Sequence, residues 1–226
     1  MSSWFRCFGL RLLQIVPRWV AGLFLGMVES VQQIPAMSGG GNMYYNFGTR
    51  KIVEAVAVLL KSCPERSMGR MRLLKLLYIA DRESLREVRR PIIGTELTSM
   101  KWGPLHSKVY DMAKGPPDDD ETWGRFLDNK GRYVVLGDDP GHGTLSRYEI
   151  RMLQATADKH RDMTDSQLSA ITHDFPEYKR NDPGGSSRPI PMHDILEAIG
   201  LAEEEGEIAM DAQRVAAFNK MFGVPS

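Results

Sequence analysis

From Thr49 onward, apolar residues return every three or four positions through much of the chain. In TRKIVEAVAVLLK, Thr49 to Lys61, the positions Ile52, Val56, Leu59 and Leu60 fall on one side, which predicts a helix of period 3.6. MRLLKLLYIADRESLREV, Met71 to Val88, repeats the pattern with Leu73, Leu74, Leu77, Ala80 and Leu85. The same wheel sets Arg72, Lys75, Arg82 and Arg86 on an outer, basic face, with Asp81 and Glu83 interleaved. Pro91 stops this helix, because proline lacks the N–H and its ring clashes with the preceding turn. Ile92 to Met100 reads as a short extended connection that turns at Gly94. Pro104 suits the first position of another helix, where its missing N–H would be unpaired anyway, and Leu105, Val109 and Met112 follow at helical spacing. That reading puts His106 in the first helical turn, as a local hydrogen-bond partner, and leaves Lys101 and Trp102 exposed ahead of it.

Beyond this, FLDNKGRYVVLG, Phe126 to Gly137, predicts a hairpin with its turn at Asp128 to Gly131 and a return strand through Tyr133, Val134 and Val135. Ser146 with Glu149, and Thr164 with Gln167, carry capping-box spacing and predict two successive helices. Asn181 to Pro191 reads as a loop, and Met192 to Leu201 and Asp211 to Phe222 as closing helices. The expected fold is mainly α: a compact helical domain with one small β-hairpin, plus an N-terminal extension. The expected division is an extension over 1–42, a domain over 43–201, and an acidic loop with a helix over 202–226.

The extension differs from the rest. It carries Arg6, Arg11 and Arg18 and two apolar runs parted by Pro17. The run from Trp19 to Val28 is too short to span a bilayer. Three readings stay open: a basic amphipathic arm that lies on a membrane or on the domain, a targeting segment, or an extension ahead of a true start at Met37 or Met43. Gly39 to Gly41 marks a flexible join in each case.

Composition changes the picture little. The 226 residues are 42% hydrophobic and 26% charged, with 29 basic and 29 acidic side chains. Charge is uneven, however. Basic residues outnumber acidic ones by about two to one from Lys61 to Lys114, and the balance reverses afterwards, through DDDE at Asp118 to Glu121 and EEEGE at Glu203 to Glu207. Two distant cysteines, Cys7 and Cys63, make neither a disulfide framework nor a zinc motif. The reading is cytoplasmic, with no metal and no cofactor. Nucleophilic catalysis needs a nucleophile, a base and an orienting group within reach. No GxSxG is present, and Cys63 reads as structural. The acids after Pro116-Pro117 read as a solvated loop, a poor frame for paired carboxylates. The glycine runs lack phosphate-loop spacing. No catalytic residue is assigned. The basic face of the second helix, with Arg89 and Arg90 after it, offers a nucleic-acid reading, but Glu83 and Glu87 dilute it and the net charge of zero disfavours it. Lys101 and Trp102 read either as a core residue beside solvent or as an interface anchor, since tryptophan buries much apolar area at little rotamer cost.

Several segments, taken in order, resemble a known family. LLKLLYIADRE (Leu73 to Glu83), RPIIGTELTSMKWGP (Arg90 to Pro104), SKVYD (Ser107 to Asp111), LSRYEIRML (Leu145 to Leu153) and LSAITHDFPEYKR (Leu168 to Arg180) are similar to the Panacea domain, also called the SocA-like antitoxin domain. The resemblance extends over about Met43 to Leu201. By it, Lys75, Tyr78 and Asp81 match the lysine, tyrosine and aspartate of the first motif. Lys101, Trp102, Gly103 and Pro104 match the turn, with tryptophan where the family often has tyrosine. Tyr110 and Asp111 match the following helix, and His173, Pro176 and Tyr178 the late segment. The resemblance implies a non-enzymatic bacterial or phage-borne antitoxin that neutralises a cognate toxin by direct binding. The resemblance also allows an adaptor that delivers a toxin to a protease, and the basic helix with the hairpin leaves a DNA-binding regulator as a further alternative. Membrane association rests on residues 1–42 alone and is left open.

Overall fold

One helix organises the chain. The computed structural model describes residues 44, 45, 47–115 and 121–222, so the expectations placed on residues 1–42, and on Asp118 to Asp120 of the acidic loop, lie outside it. In chain order the elements are α1 (Thr49–Lys61), β1 (Ser67–Gly69), α2 (Arg70–Val88), β2 (Leu97–Ser99), β3 (Leu105–His106), α3 (Ser107–Lys114), α4 (Glu121–Phe126), β4 (Leu127–Lys130) and β5 (Tyr133–Leu136). Then come α5 (Arg147–Lys159), α6 (Asp165–His173), α7 (Pro176–Arg180), β6 (Arg188–Pro189), α8 (Met192–Ala198), a 3-10 turn at Ala202–Glu204, and α9 (Glu205–Met221). The architecture is mainly α with small antiparallel sheets.

In α2, every residue from Leu73 to Asp81 is buried. The cause is that two apolar clusters sandwich it. On one side, Leu73, Leu76, Leu77 and Ala80 pack with Ile52, Val56 and Leu59 of α1, Trp123 of α4, Leu153 of α5 and Leu168 of α6. On the other, Tyr78 and Leu85 pack with Tyr45, Leu97, Ile190, Ile195, Leu196 and Ile208. Burial of this order, at about 25 cal/mol per Å² of apolar area, sets the position of α2. The helix ends where Arg89 adopts a left-handed conformation (φ 59°) and returns its N–H to Leu85 O at 3.0 Å, two residues before Pro91. Both capping boxes form. Ser146 and Glu149 close the start of α5, and Thr164 and Gln167 that of α6.

Three expectations are corrected. First, the helix after the Gly-Pro step starts at Ser107, not Pro104. Leu105 and His106 instead pair with β2 in the register Leu97↔His106 and Thr98↔Leu105, which buries Leu105 and His106. Second, the hairpin turns at Gly131 and Arg132, so Asp128 and Asn129 belong to β4. Gly131 takes the positive φ (61°) that this tight turn requires. Third, the described residues form two sheets. β1 joins the hairpin in the order β1-β5-β4, and a second sheet runs β3-β2-β6. Its strands are two or three residues long, too short to display an alternation.

Candidate functional site

The residues singled out in α2 share a face, and that face is buried. Lys75, Tyr78 and Arg82 stand at i, i+3 and i+7, with Asp81 beside them. Lys75 is fully buried, as is Tyr78, and Asp81 is 5% exposed. This overturns the expected outer basic face. Arg72 donates to the carbonyls of Met163 (2.6 Å) and His160 (2.5 Å). Arg82 pairs with the buried Glu177 at 2.7 Å, and Arg86 pairs with Glu83 on the same helix. A nucleic-acid interface along α2 therefore lacks its free cations.

Each buried group has a definite task. Asp81 accepts the backbone N–H groups of Ile92 and Ile93, both at 2.8 Å, and of Gly94 at 3.0 Å. One carboxylate thus folds the whole Pro91–Gly94 bend onto α2. Gly94 has φ 61°, and a Cβ there would sit 2.8 Å from Tyr45 Cβ, so the bend admits only glycine. His106 shares hydrogen with Thr95 Oγ1 across 3.0 Å, and its Nε2 lies 3.4 Å from Asp81 Oδ2 without hydrogen-bond alignment. Burial holds the His106 ring below its ordinary pKa, partly offset by the Asp81 charge. Tyr78 donates to Glu177 Oε1 at 3.0 Å, and burial beside that carboxylate raises its phenol well above the usual range. Phe175 lies between, stacked on Tyr78 and 4.3 Å beneath the Arg82 guanidinium.

Above this network sits the turn from Met100 to Pro104. Gly103 N–H closes it onto Met100 O at 2.8 Å. Three of its carbonyl oxygens are held by three different side chains. Tyr178 donates to Met100 O (3.0 Å), Ser169 to Trp102 O (3.0 Å) and Lys75 to Pro104 O (2.7 Å). Gly103, at φ 97°, lies so close that a Cβ would come within 2.6 Å of Thr172 Oγ1 and 2.9 Å of Lys75 Nζ. Desolvation lowers the Lys75 amine to about 7. His173 stacks flat on Tyr178 at 4.6 Å, and its buried Nε2 has no hydrogen-bond partner among the described residues. Burial, with the Lys75 amine nearby, keeps the His173 ring below its ordinary pKa.

What this apparatus displays is Trp102. Its side chain is 57% exposed, although its own carbonyl is fixed from below, and Lys101 Nζ lies 5.2 Å from its ring centre. Pro176 opens α7 and so places Tyr178, which is 9% exposed. Tyr110 is half-buried with Lys114 over its ring at 5.0 Å, and Asp111 is exposed. These two stand apart from the turn's hydrogen bonds. Sequence reasoning missed Glu177, Ser169, Thr172 and Arg82 as parts of the site. The i, i+3, i+7 spacing of Lys75, Tyr78 and Arg82 was the available signal, and charge misdirected it.

The hydrogen bonds of the site hold the Met100–Pro104 turn and the Pro91–Gly94 bend against α2 and α6–α7. Lys75, Tyr78, Asp81, Ser169 and Tyr178 direct their polar atoms at each other's neighbours and at backbone carbonyls and amides, while Nε2 of His106 and of His173 has no hydrogen-bond partner among the described residues. His193, Asp194 and Glu197, elsewhere on α8, lie within 4.8 Å of one another, but Arg180 bridges both carboxylates, at 3.1 and 2.5 Å. Among the described residues no helix is long and apolar enough to cross a membrane.

Residues 73–179 match the family model of the antitoxin SocA-like, Panacea domain. No curated protein and no solved structure matches the chain. All the motif residues, from Lys75 to Tyr178, fall inside the matched stretch, which is also the stretch that builds and fixes the Trp102 turn. Residues 73–179 thus carry the Panacea domain that the ordered motifs resemble.

Proposed function

We propose that this chain is the antitoxin of a toxin–antitoxin pair and neutralises its toxin by occlusion. It binds the folded toxin and covers its working surface, with no covalent chemistry of its own. The working compartment is the cytoplasm. The observation that carries this reading is Trp102: a large aromatic ring, more than half exposed, on a turn immobilised through its backbone. A ring held in this way loses little freedom on binding, which is how tryptophan comes to anchor interfaces. Lys101 beside it acts as a charged rim contact that steers encounter more than it adds affinity. The buried half of the motif, Lys75, Tyr78, Asp81 and Tyr178, serves as the frame.

Co-expression with the toxin encoded beside this chain tests the reading. Trp102→Ala is expected to accumulate as folded protein and to abolish rescue of growth. Full rescue by that variant removes Trp102 from the interface. Rescue by the unaltered chain that vanishes in a strain lacking its cytoplasmic ATP-dependent proteases would replace occlusion with delivery to a protease.

A further inference from the structure

A second surface lies outside the matched stretch, on α9. Ile208 and Ala212 bury one side of this helix, and Val215 and Asn219 continue it. Met210, Phe218 and Met221 follow at i, i+8 and i+11, which sets them on the side away from Ile208 and Ala212. They are exposed by 48, 58 and 70%. Single exposed apolar residues are ordinary, but a stripe along one helix is not. Beside the carboxyl half of α9 runs a groove of about 1150 Å³, with Phe47, Val88 and Phe218 among its apolar walls. Its charged walls are Arg50, Lys51, Arg90, Lys108 and Arg214 against Glu121 and Glu149. Lys51 pairs with Glu149 at 2.6 Å, Arg50 with Glu54 at 2.8 Å and Arg90 with Asp211 of α9 at 3.5 Å, which leaves Lys108 and Arg214 against Glu121 in the groove.

The charges of α9 are split along its length. Glu205, Glu207 and Asp211 occupy the first half, and Arg214 and Lys220 the second; Glu205 pairs with His193 at 2.7 Å and Asp211 with Arg90 at 3.5 Å in the same chain, so Glu207 and Arg214 carry the complementarity. We propose that two copies of this chain pair through α9, antiparallel about a two-fold axis. The acidic half of each α9, with Met210, then lies along the basic groove and the Phe218–Met221 end of the other. A two-fold interface must complement itself, and a helix that is acid at one end and basic at the other does so only antiparallel. The helix dipoles oppose favourably in the same arrangement. The Trp102 turn belongs to a different part of the chain, the α2–α6–α7 frame, so pairing leaves the proposed toxin contact a separate question.

Sedimentation of the full chain from about 1 to about 100 μM, where a micromolar Kd is visible, tests this. The expected result is a species of twice the 25.5 kDa chain mass. The pair Phe218→Glu and Met221→Glu, both exposed, should yield monomer with an unchanged thermal melt and unchanged toxin rescue. Arg214→Glu and Glu207→Lys should each weaken the dimer at least about tenfold, and mixing the two single variants should restore it as a heterodimer. A monomer at every concentration overturns the proposal, whether the stripe then serves another protein or residues 1–42. So does a dimer indifferent to Phe218→Glu and Met221→Glu, and so does a mixture that fails to pair.

Discussion

The two halves of the motif set behave oppositely. Lys75, Tyr78, Asp81 and Tyr178 are buried, and each bonds a specific atom of another segment. Lys101 and Trp102 are exposed, and only the backbone of Trp102 is fixed. The first group holds a shape, while the second shows side chains to whatever approaches. A family motif can therefore record the cost of building a platform as much as the contact made on it. If this division is right, substitutions in the buried half lose stability first and rescue only as a consequence. Substitutions in the exposed half lose rescue alone.

The largest effect is expected at Asp81. Asp81→Leu keeps the forked outline of the side chain but strips three buried N–H groups, of Ile92, Ile93 and Gly94, of their acceptor. Each orphaned donor costs about 1–3 kcal/mol, offset in part by removing a buried charge, so the net loss should be about 4 kcal/mol. Urea unfolding of the two proteins measures it. A loss under about 1 kcal/mol would mean that the Pro91–Gly94 bend is held by packing alone, and that Asp81 belongs with the exposed half.

Lys75 sharpens the comparison through pH. Its amine is lowered to about 7, from the 10.5 of an exposed lysine. Between those values the unfolded chain holds a proton that the native chain lacks. Stability attributable to Lys75 therefore rises with pH across this window, by up to about 1.4 kcal/mol per unit. It levels off above 10.5, where neither state is protonated, and is flat below about 7, where both are. Lys75→Met removes this dependence. From about pH 7.5 to about pH 9.5, the stability of the wild type relative to Lys75→Met should climb by about 2 kcal/mol. Parallel curves would place the amine in contact with water, as the hydrophobic pattern alone suggested.

That pattern made much of the fold legible. Helix α1 over Thr49–Lys61, the extent of α2 and both capping boxes follow from local rules that operate within a turn or two of the residue concerned. Sheet β3-β2-β6 escaped because β6 reaches β2 from about ninety residues away, a pairing that no local period encodes. The site was half legible. The right residues stood out, yet Lys75 and Asp81 were set on the solvent side because charge is normally excluded from cores. What reversed this was tertiary: α2 lies between two apolar clusters, so it has no outer face along Leu73–Asp81, and its charges are satisfied by carbonyls and amides from distant segments. Glu177 is the mirror case. Nothing in PEYKR marks its carboxylate as buried until Tyr78 and Arg82 are found around it.

The smallest stability effect, and the sharpest test of the division, belongs to Trp102. The contacts that fix its turn run through the carbonyls of Met100, Trp102 and Pro104 and the N–H of Gly103. Truncating the indole touches none of them. Its 57% exposure leaves little burial to lose, so Trp102→Ala should unfold within about 0.5 kcal/mol of the wild type. The same experiment on Tyr178→Phe, which removes the bond to Met100 O and leaves the indole intact, should cost about 1 kcal/mol. A platform and its display are distinct only if these two results fall in that order. A Trp102→Ala loss above about 2 kcal/mol would make the ring part of the frame, because only a side chain that supports its neighbours can cost that much on removal.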